Sequence, residues 1–484
     1  MDLFLPDINL FAIAPEIMLV VFACLVLLID AVFPRISKTS LAFLSIMGIF
    51  LAFKSTVFLW GRKEYIFRDM MIVDNFSLFF NLIFLIGAAL TILISVGHMN
   101  SEKFGHGEYY SLILFAVSGM MFMASGADMI MIFLGLEIMS IAIYVLAGFE
   151  KKNPLSNESA LKYFLLGAFA SAFLLYGIAL IYGVAGSTKL KTISQVLSPL
   201  SSSVDPLFYV GAGLLIIGFC FKIATVPFHM WVPDVYEGAP TAITAFMSAA
   251  VKAAGFAALF RVVNSALSSI QSDITSLIWV IAVITMTLGN IVAIAQDNIK
   301  RMLAYSSIAH AGYILVALVA SNEMGTSGLL YYLLAYTFMN IGAFGVVIFL
   351  SRKEDPAVNL SDYSGIGFRY PVLAICMTVF MVSLAGIPPT AGFIGKFYIF
   401  SAAVKAGYIG LAVIGVLNSA VSVFYYFRII VYMYMKEPDR EFSGLIISPS
   451  LVAAILCCAL GIVLMGIFPS STLQLTQSSV LFAW

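Results

Sequence analysis

Long apolar stretches separated by short polar connections run the length of the chain. A hydrocarbon core of ~30 Å takes about 20 apolar residues per helix. Fourteen such stretches follow one another, at roughly 11–33, 40–60, 73–97, 110–126, 128–149, 160–184, 206–226, 240–263, 276–296, 303–320, 327–350, 371–404, 408–435 and 448–468. Their runs are unbroken rather than alternating, which excludes the ~10-residue dyad pattern of a membrane β-barrel. The pattern predicts an all-α polytopic membrane protein with about 14 transmembrane helices. The first stretch, Phe11 to Phe33, is too long for the apolar part of a signal peptide. It also has neither a basic flank nor a small-residue cleavage site, and is expected to be a span.

The seventh and twelfth stretches are interrupted by proline. The seventh contains Lys222-Ile-Ala-Thr-Val-Pro227-Phe-His229, and the twelfth Leu384-Ala-Gly386-Ile-Pro388-Pro389-Thr-Ala-Gly392-Phe-Ile-Gly395-Lys396. Pro227 cannot donate to the carbonyl of Ile223, and Pro388 and Pro389 likewise free those of Leu384 and Ala385. Such oxygens survive at membrane depth only where protein or water satisfies them, so a broken helix lines a cavity. A plain packing kink is the alternative, but each break lies beside a lysine. The two breaks lie five spans apart. Since five is odd, the broken helices run in opposite directions, as in inverted copies of a five-helix unit, helices 4–8 and 9–13. The expected division is 1–105 for helices 1–3, 106–265 for the first repeat, 266–436 for the inverted second, and 437–484 for helix 14.

Composition sharpens this picture. Apolar residues make up 62% of the 484 and charged residues 10%, where a soluble domain carries roughly 25% charged. With 25 basic and 25 acidic side chains the net charge is zero, and no field favours nucleic acid. The five cysteines sit in apolar runs without metal or cluster spacing, and the four histidines without paired axial-ligand spacing. Connections after odd-numbered spans hold Arg35, Lys38, Lys103, Lys151, Lys152, Lys300, Arg301, Arg352, Lys353, Arg369, Lys436 and Arg440. Those after even-numbered spans hold Arg62, Lys63, Arg68, Lys189 and Lys191, with Arg261 and Lys405 at span ends. Twelve against seven puts the odd connections in the cytoplasm and both termini outside. No connection can house a soluble domain, and no dinucleotide or P-loop pattern occurs.

A few charges fall well inside apolar spans, where each costs roughly 2.5–3.5 kcal/mol on insertion scales. They are Glu137 in the fifth span, Lys222 before the seventh-span break, Lys252 in the eighth span and Lys396 after the twelfth-span break. Desolvation disfavours the charged form of amine and carboxyl alike, which suits groups that exchange protons. A Glu137–Lys222 pair ~5 Å apart would be worth about 3 kcal/mol at an effective dielectric of ~20, enough for a switch. Static ion pairing is the bland alternative. Lys162, four residues after Glu158, fits a surface pair as well as a functional one, and His229 and His310 fit a proton relay or a structural role. Glu16, Asp30, Lys54 and Arg428 lie near span ends, facing headgroups or neighbouring helices.

Four segments carry a resemblance: Phe133-Leu-Gly-Leu-Glu137; Phe221-Lys222 through Pro227-Phe-His229-Met-Trp231-Val-Pro233-Asp234-Val-Tyr236-Glu237-Gly-Ala-Pro240; Asn298-Ile-Lys300-Arg301 through Tyr305, His310 and Tyr313; and Leu384 through Lys396-Phe. Over residues 75 to 435 the chain resembles the antiporter-like membrane subunits of respiratory complex I. The resemblance implies a proton-translocating membrane-arm subunit of an NADH-quinone oxidoreductase in a bacterial inner membrane. Glu137 and Lys222 would act as modulating pair, Lys252 as central and Lys396 as exit-side proton carrier, and Lys162 as a further path residue. It also implies no cofactor in this chain, with quinone, FMN and iron–sulfur clusters in partner subunits, and neighbouring antiporter-like and small membrane subunits as contacts. A multi-subunit cation/proton antiporter, or a related complex fed by another electron donor, would use the same residues.

Overall fold

In the computed structural model, which describes residues 9–33, 35–101, 106–197, 204–351, 357–438 and 448–480, helix starts are set by polar residues just upstream of the apolar runs. Asp128, Asn153, Asp205, Asn298 and Asn322 each accept a hydrogen bond from a backbone N–H of the first turn. Asn153 and Asp205 are followed by proline at the first helical position, where the missing N–H costs nothing. These caps lengthen several spans beyond their apolar stretch. The sixth begins at Pro154 and the tenth at Ile299, which carries Glu158 and Lys300 into helical turns.

Thirteen helices among the described residues are long and apolar enough to cross a membrane. They match thirteen of the fourteen expected stretches. The remaining one, the twelfth, is two 15-residue helices, Pro371–Ala385 and Ala391–Lys405, separated at the expected break. The seventh span stops earlier than its apolar run: Pro206–Ile223 gives way to a turn and a short helix, Trp231–Gly238. The core lies around the eighth, tenth and eleventh spans, whose most apolar windows are 100%, 94% and 83% buried, against 33% for the sixth and thirteenth. Lys103, Arg352, Lys353 and Arg440, counted in the charge bias, lie outside the described residues.

Three features differ from expectation. Glu64–Ile66 and Met71–Val73 form an antiparallel hairpin between the second and third spans, its inner residues buried against Leu59 and Leu78. The eighth span is not uniformly α-helical: Thr241–Phe246 passes into a π-helical turn, Met247–Val251, before Lys252–Asn264. Finally, Arg261 does not end its span at the surface. It is fully buried, gripping both Asp74 oxygens (3.0 and 2.9 Å) and donating from Nε to the Ala124 carbonyl (2.9 Å). A forked guanidinium suits this site because it satisfies two partners with fixed geometry.

Candidate functional site

The two breaks share a local design. The seventh-span helix ends at Ala224 in the left-handed region (φ 63°), and Thr225 N–H reaches back to the Cys220 carbonyl (3.0 Å). The first half of the twelfth ends at Gly386 (φ 84°), and Ile387 N–H reaches back to Val382 (3.1 Å). Both are the six-to-one closure of a Schellman motif, which turns the chain sharply out of a helix. Each leaves a lysine beside the turn, and Lys222 and Lys396 are both 4% exposed.

At the second break the freed oxygens find the partner that the prolines require. Lys396 Nζ donates to the carbonyls of Leu384 (2.9 Å) and Ala385 (3.1 Å) and to Ser419 Oγ (2.9 Å). The ammonium also sits 4.8 Å from the Tyr313 ring centre, a cation–π distance. At the first break the Phe221 carbonyl accepts from Trp231 Nε1 (3.1 Å), and Trp231 stacks on Tyr163 at 4.3 Å, nearly parallel. Lys222 Nζ lies 5.3 Å from the ring of Tyr163 and 5.6 Å from that of Tyr144, and donates to Ser140 Oγ (2.7 Å).

Glu137 lies one turn before Ser140 on the fifth span, half-buried, and accepts from Ser171 Oγ at 2.5 Å. The direct Glu137–Lys222 pair is not formed: among the described residues no ion pair joins them. Each side chain instead holds its own serine. Between Ser171 and Lys222 lies a cavity of about 10 Å³, also lined by Leu136, Gly167, Gly218 and Phe221, about the space of one water.

The tenth span connects the two lysines of the centre. Lys252, 2% exposed and directly after the π turn, donates to the Ser307 carbonyl (2.7 Å) and to Ser307 Oγ. The adjacent Ser306 is bonded to the Tyr426 hydroxyl, which reaches His310 Nε2 at 2.9 Å. His310 Nδ1 is bonded to the Tyr332 hydroxyl at 2.5 Å. A neutral imidazole donates at one nitrogen and accepts at the other, so one tyrosine hydroxyl donates a hydrogen bond to the ring and the other accepts one from it. Beyond it, Tyr313 receives a hydrogen bond from Asn290 (2.9 Å), whose oxygen accepts from Tyr425 (2.9 Å). Lys222, Lys252 and Lys396 therefore rest on hydroxyl and carbonyl oxygens, not on carboxylates. Any of them can lose its proton without leaving an unpaired buried anion.

Lys162 is elsewhere. It is 39% exposed, pairs with Glu158 and Asp234 at 2.6 Å each, and belongs to a cluster that sequence reasoning missed. Arg301 bridges Asp234 (2.9 Å) and Glu237 (2.8 Å), Asn298 donates to Glu237, and buried Lys300 donates to the carbonyls of Glu237 and Ala239. The cluster ties the sixth and tenth spans to the short helix that follows the first break. Burial alone would raise the Asp234 carboxyl, but the hydrogen bonds from Lys162 and Arg301 outweigh it and hold it below the usual value. The only signal for this cluster in the sequence was the density of charge in Asp234 to Glu237 and in Lys300-Arg301. His229 lies half-buried in the turn, its Nδ1 without a partner, and is not joined to the line of lysines.

Of the span-end charges, Glu16 is buried. Asp30 pairs with Lys38, and Lys54 lies over Phe50. Arg428 covers the last carbonyls of the ninth span at Ile294 and Gln296, a position that also complements the helix dipole. Among the described residues no group of three or more His, Cys, Asp or Glu is placed to hold a metal ion.

Residues 126–422 match the family of NADH:quinone oxidoreductase/Mrp antiporter transmembrane domains. The chain is 52% identical over 473 residues to the NADH-quinone oxidoreductase subunit N of Trichlorobacter lovleyi, covering 98% of this chain and 97% of that one. A chain in respiratory complex I from Thermus thermophilus with bound aureothin superposes with a TM-score of 0.81 at 34% identity, over 95% of this chain and 98% of the other. A chain of the Mrp complex from Dietzia shares the fold at a TM-score of 0.86 and 20% identity, over 98% and 97%. Both breaks and all four mid-span charged residues fall inside the matched segment, and the chain belongs to the NADH:quinone oxidoreductase/Mrp antiporter family of multi-pass membrane subunits.

Proposed function

We propose that this chain is the subunit N of an NADH-quinone oxidoreductase and moves protons along Glu137, Lys222, Lys252 and Lys396. The carrying observation is the set of three buried amines, each held by neutral oxygens, two of which, Lys252 and Lys396, meet the tenth span at Ser307 and Tyr313. In this reading Glu137 modulates Lys222 through the two serines and a water in the cavity between them. A proton leaving Lys222 passes to Lys252, and then through Ser307, Ser306, Tyr426 and His310 towards Lys396 as the exit-side carrier. Lys162 and the Asp234 cluster hold the first break in register, and His229 stands as a side branch. Coupling energies of a few kcal/mol, the size of one such pairing, are sufficient to load and release a proton.

The shared closure of the two breaks supports two inverted five-helix units, 106–265 and 266–436, flanked by 1–105 and 437–484. The complex supplies the driving step. Quinone, FMN and iron–sulfur clusters belong to partner subunits, and this chain packs against other membrane-arm subunits in a bacterial inner membrane with both termini on the outer side. The test is Lys222→Ala and Glu137→Ala in the assembled complex, measuring proton pumping and quinone-linked turnover together. Both should fall while the complex stays intact. Undiminished pumping in an assembled Lys222→Ala complex overturns the assignment, and cation exchange without any redox partner would transfer the chain to an antiporter.

A further inference from the structure

One cavity away from the line of lysines has the build of a lipid site. It measures about 280 Å³ and lies where the eleventh span ends and the twelfth and fourteenth begin, lined by Phe349, Tyr370, Cys376, Val452 and Ile455, with Arg369 at its rim. All three spans terminate at the same end of the bundle, so the apolar body begins within a turn or two of the span ends. That is the depth at which acyl chains meet headgroups. Phe349 and Tyr370 meet edge-to-face at 5.6 Å and close one wall. Val372 and Leu456 are exposed and leave the flank open sideways.

The polar chemistry of the mouth is a single cation. Arg369 is exposed, and among the described residues no carboxylate pairs with it. Every other lining residue is apolar or aromatic except for the Cys376 thiol and the Tyr370 hydroxyl. An occupant must therefore present an apolar chain to the cavity and a negative oxygen group to the guanidinium, which binds phosphate with paired N–H donors. We propose that this cavity seats one acyl chain of an anionic phospholipid, with the lipid phosphate on Arg369.

The test uses the intact complex reconstituted in bilayers containing a photoactivatable phosphatidylglycerol with a mid-chain diazirine. A phosphatidylcholine carrying the same chain serves as the neutral control, and the labelled peptides are mapped after irradiation. Label is expected on residues 372–376 and 452–456, about fivefold stronger from the anionic probe, because one arginine near an anionic headgroup is worth about that factor. Arg369→Gln, a surface substitution that leaves the bundle untouched, should remove the difference between the two probes. Val452→Trp should fill the cavity and abolish label from both. Equal labelling by the two probes in the native complex, an unchanged ratio in Arg369→Gln, or no label on these segments overturns the proposal.

Discussion

Replacing Lys396 by methionine separates a structural role from proton carriage. The side chain keeps its unbranched stem as far as the ε-carbon but loses the amine and its three hydrogen bonds, to Leu384, Ala385 and Ser419. Ser419 Oγ also donates to the Ala385 carbonyl (3.1 Å), so that oxygen keeps a partner. Only Leu384 loses its side-chain donor, and Pro388 cannot replace it. One unsatisfied buried carbonyl costs about 1–3 kcal/mol, and removing a buried ammonium offsets part of this because its desolvation no longer has to be met. Against a total stability of ~5–15 kcal/mol for a folded domain, the variant should assemble. Proton pumping, in contrast, should fall by at least about tenfold, since the exit-side group no longer titrates. The assay is quinone-linked proton pumping in membrane vesicles, normalised to the complex recovered after mild solubilisation. Native pumping per assembled complex would refute the reasoning, and loss of assembly would refute the arithmetic.

Other substitutions test the frame around the site. Gly386→Ala places a side chain at φ 84° with its Cβ 2.8 Å from the Lys396 stem. It should destabilise by about 1–2 kcal/mol and slow turnover, read from thermal inactivation and quinone reduction. Arg261→Ala leaves the Asp74 carboxylate uncompensated and should cost about 3–5 kcal/mol, seen as loss of the chain from membranes, with Asp74→Asn/Arg261→Gln recovering part of it. Asp234 is held below its ordinary value of 3.8. Its contribution to stability is thus complete above that pH and is lost as pH falls through the depressed folded-state value. Asp234→Asn should flatten this acid limb in pH-dependent thermal unfolding and leave the neutral region nearly flat in slope. Tyr426→Phe removes the hydroxyl between Ser306 and His310 and should reduce pumping more than it reduces assembly.

Much of this was legible in the sequence, and the reasons differ by element. Spans were readable because a membrane helix must be apolar over its whole length, and the breaks because proline removes a donor whatever surrounds it. The partners of the freed carbonyls at Leu384 and Ala385 followed from the same covalent fact, although their satisfaction by Lys396 depends on how the chain returns after Gly386. Contacts between distant spans were not legible. Nothing near Glu137 announces Ser171, and nothing near Lys222 announces Ser140, so a direct pair was the natural expectation. Arg261 reads as a span-end cation because its partner, Asp74, is 187 positions away. The hairpin at Glu64–Val73 is too short to show alternation, and the π turn leaves no compositional mark among the alanines before Lys252.

That π turn has a further consequence for how the chain tolerates insertions and deletions. A π turn accommodates one residue more than an α turn, and helical positions are ~100° apart. Lys252 and Arg261, nine residues apart on one helix, therefore point to nearly opposite sides, one towards Ser307 and the other towards Asp74. Deleting one residue within Met247–Val251 would restore a regular helix. Because five π residues turn through about as much angle as four α residues, both anchors would keep their facing, whereas a deletion between Lys252 and Arg261 would swing Arg261 by about 100° away from Asp74. The turn can thus lose a residue with both anchors kept, whereas the nine-residue spacing from Lys252 to Arg261 cannot change.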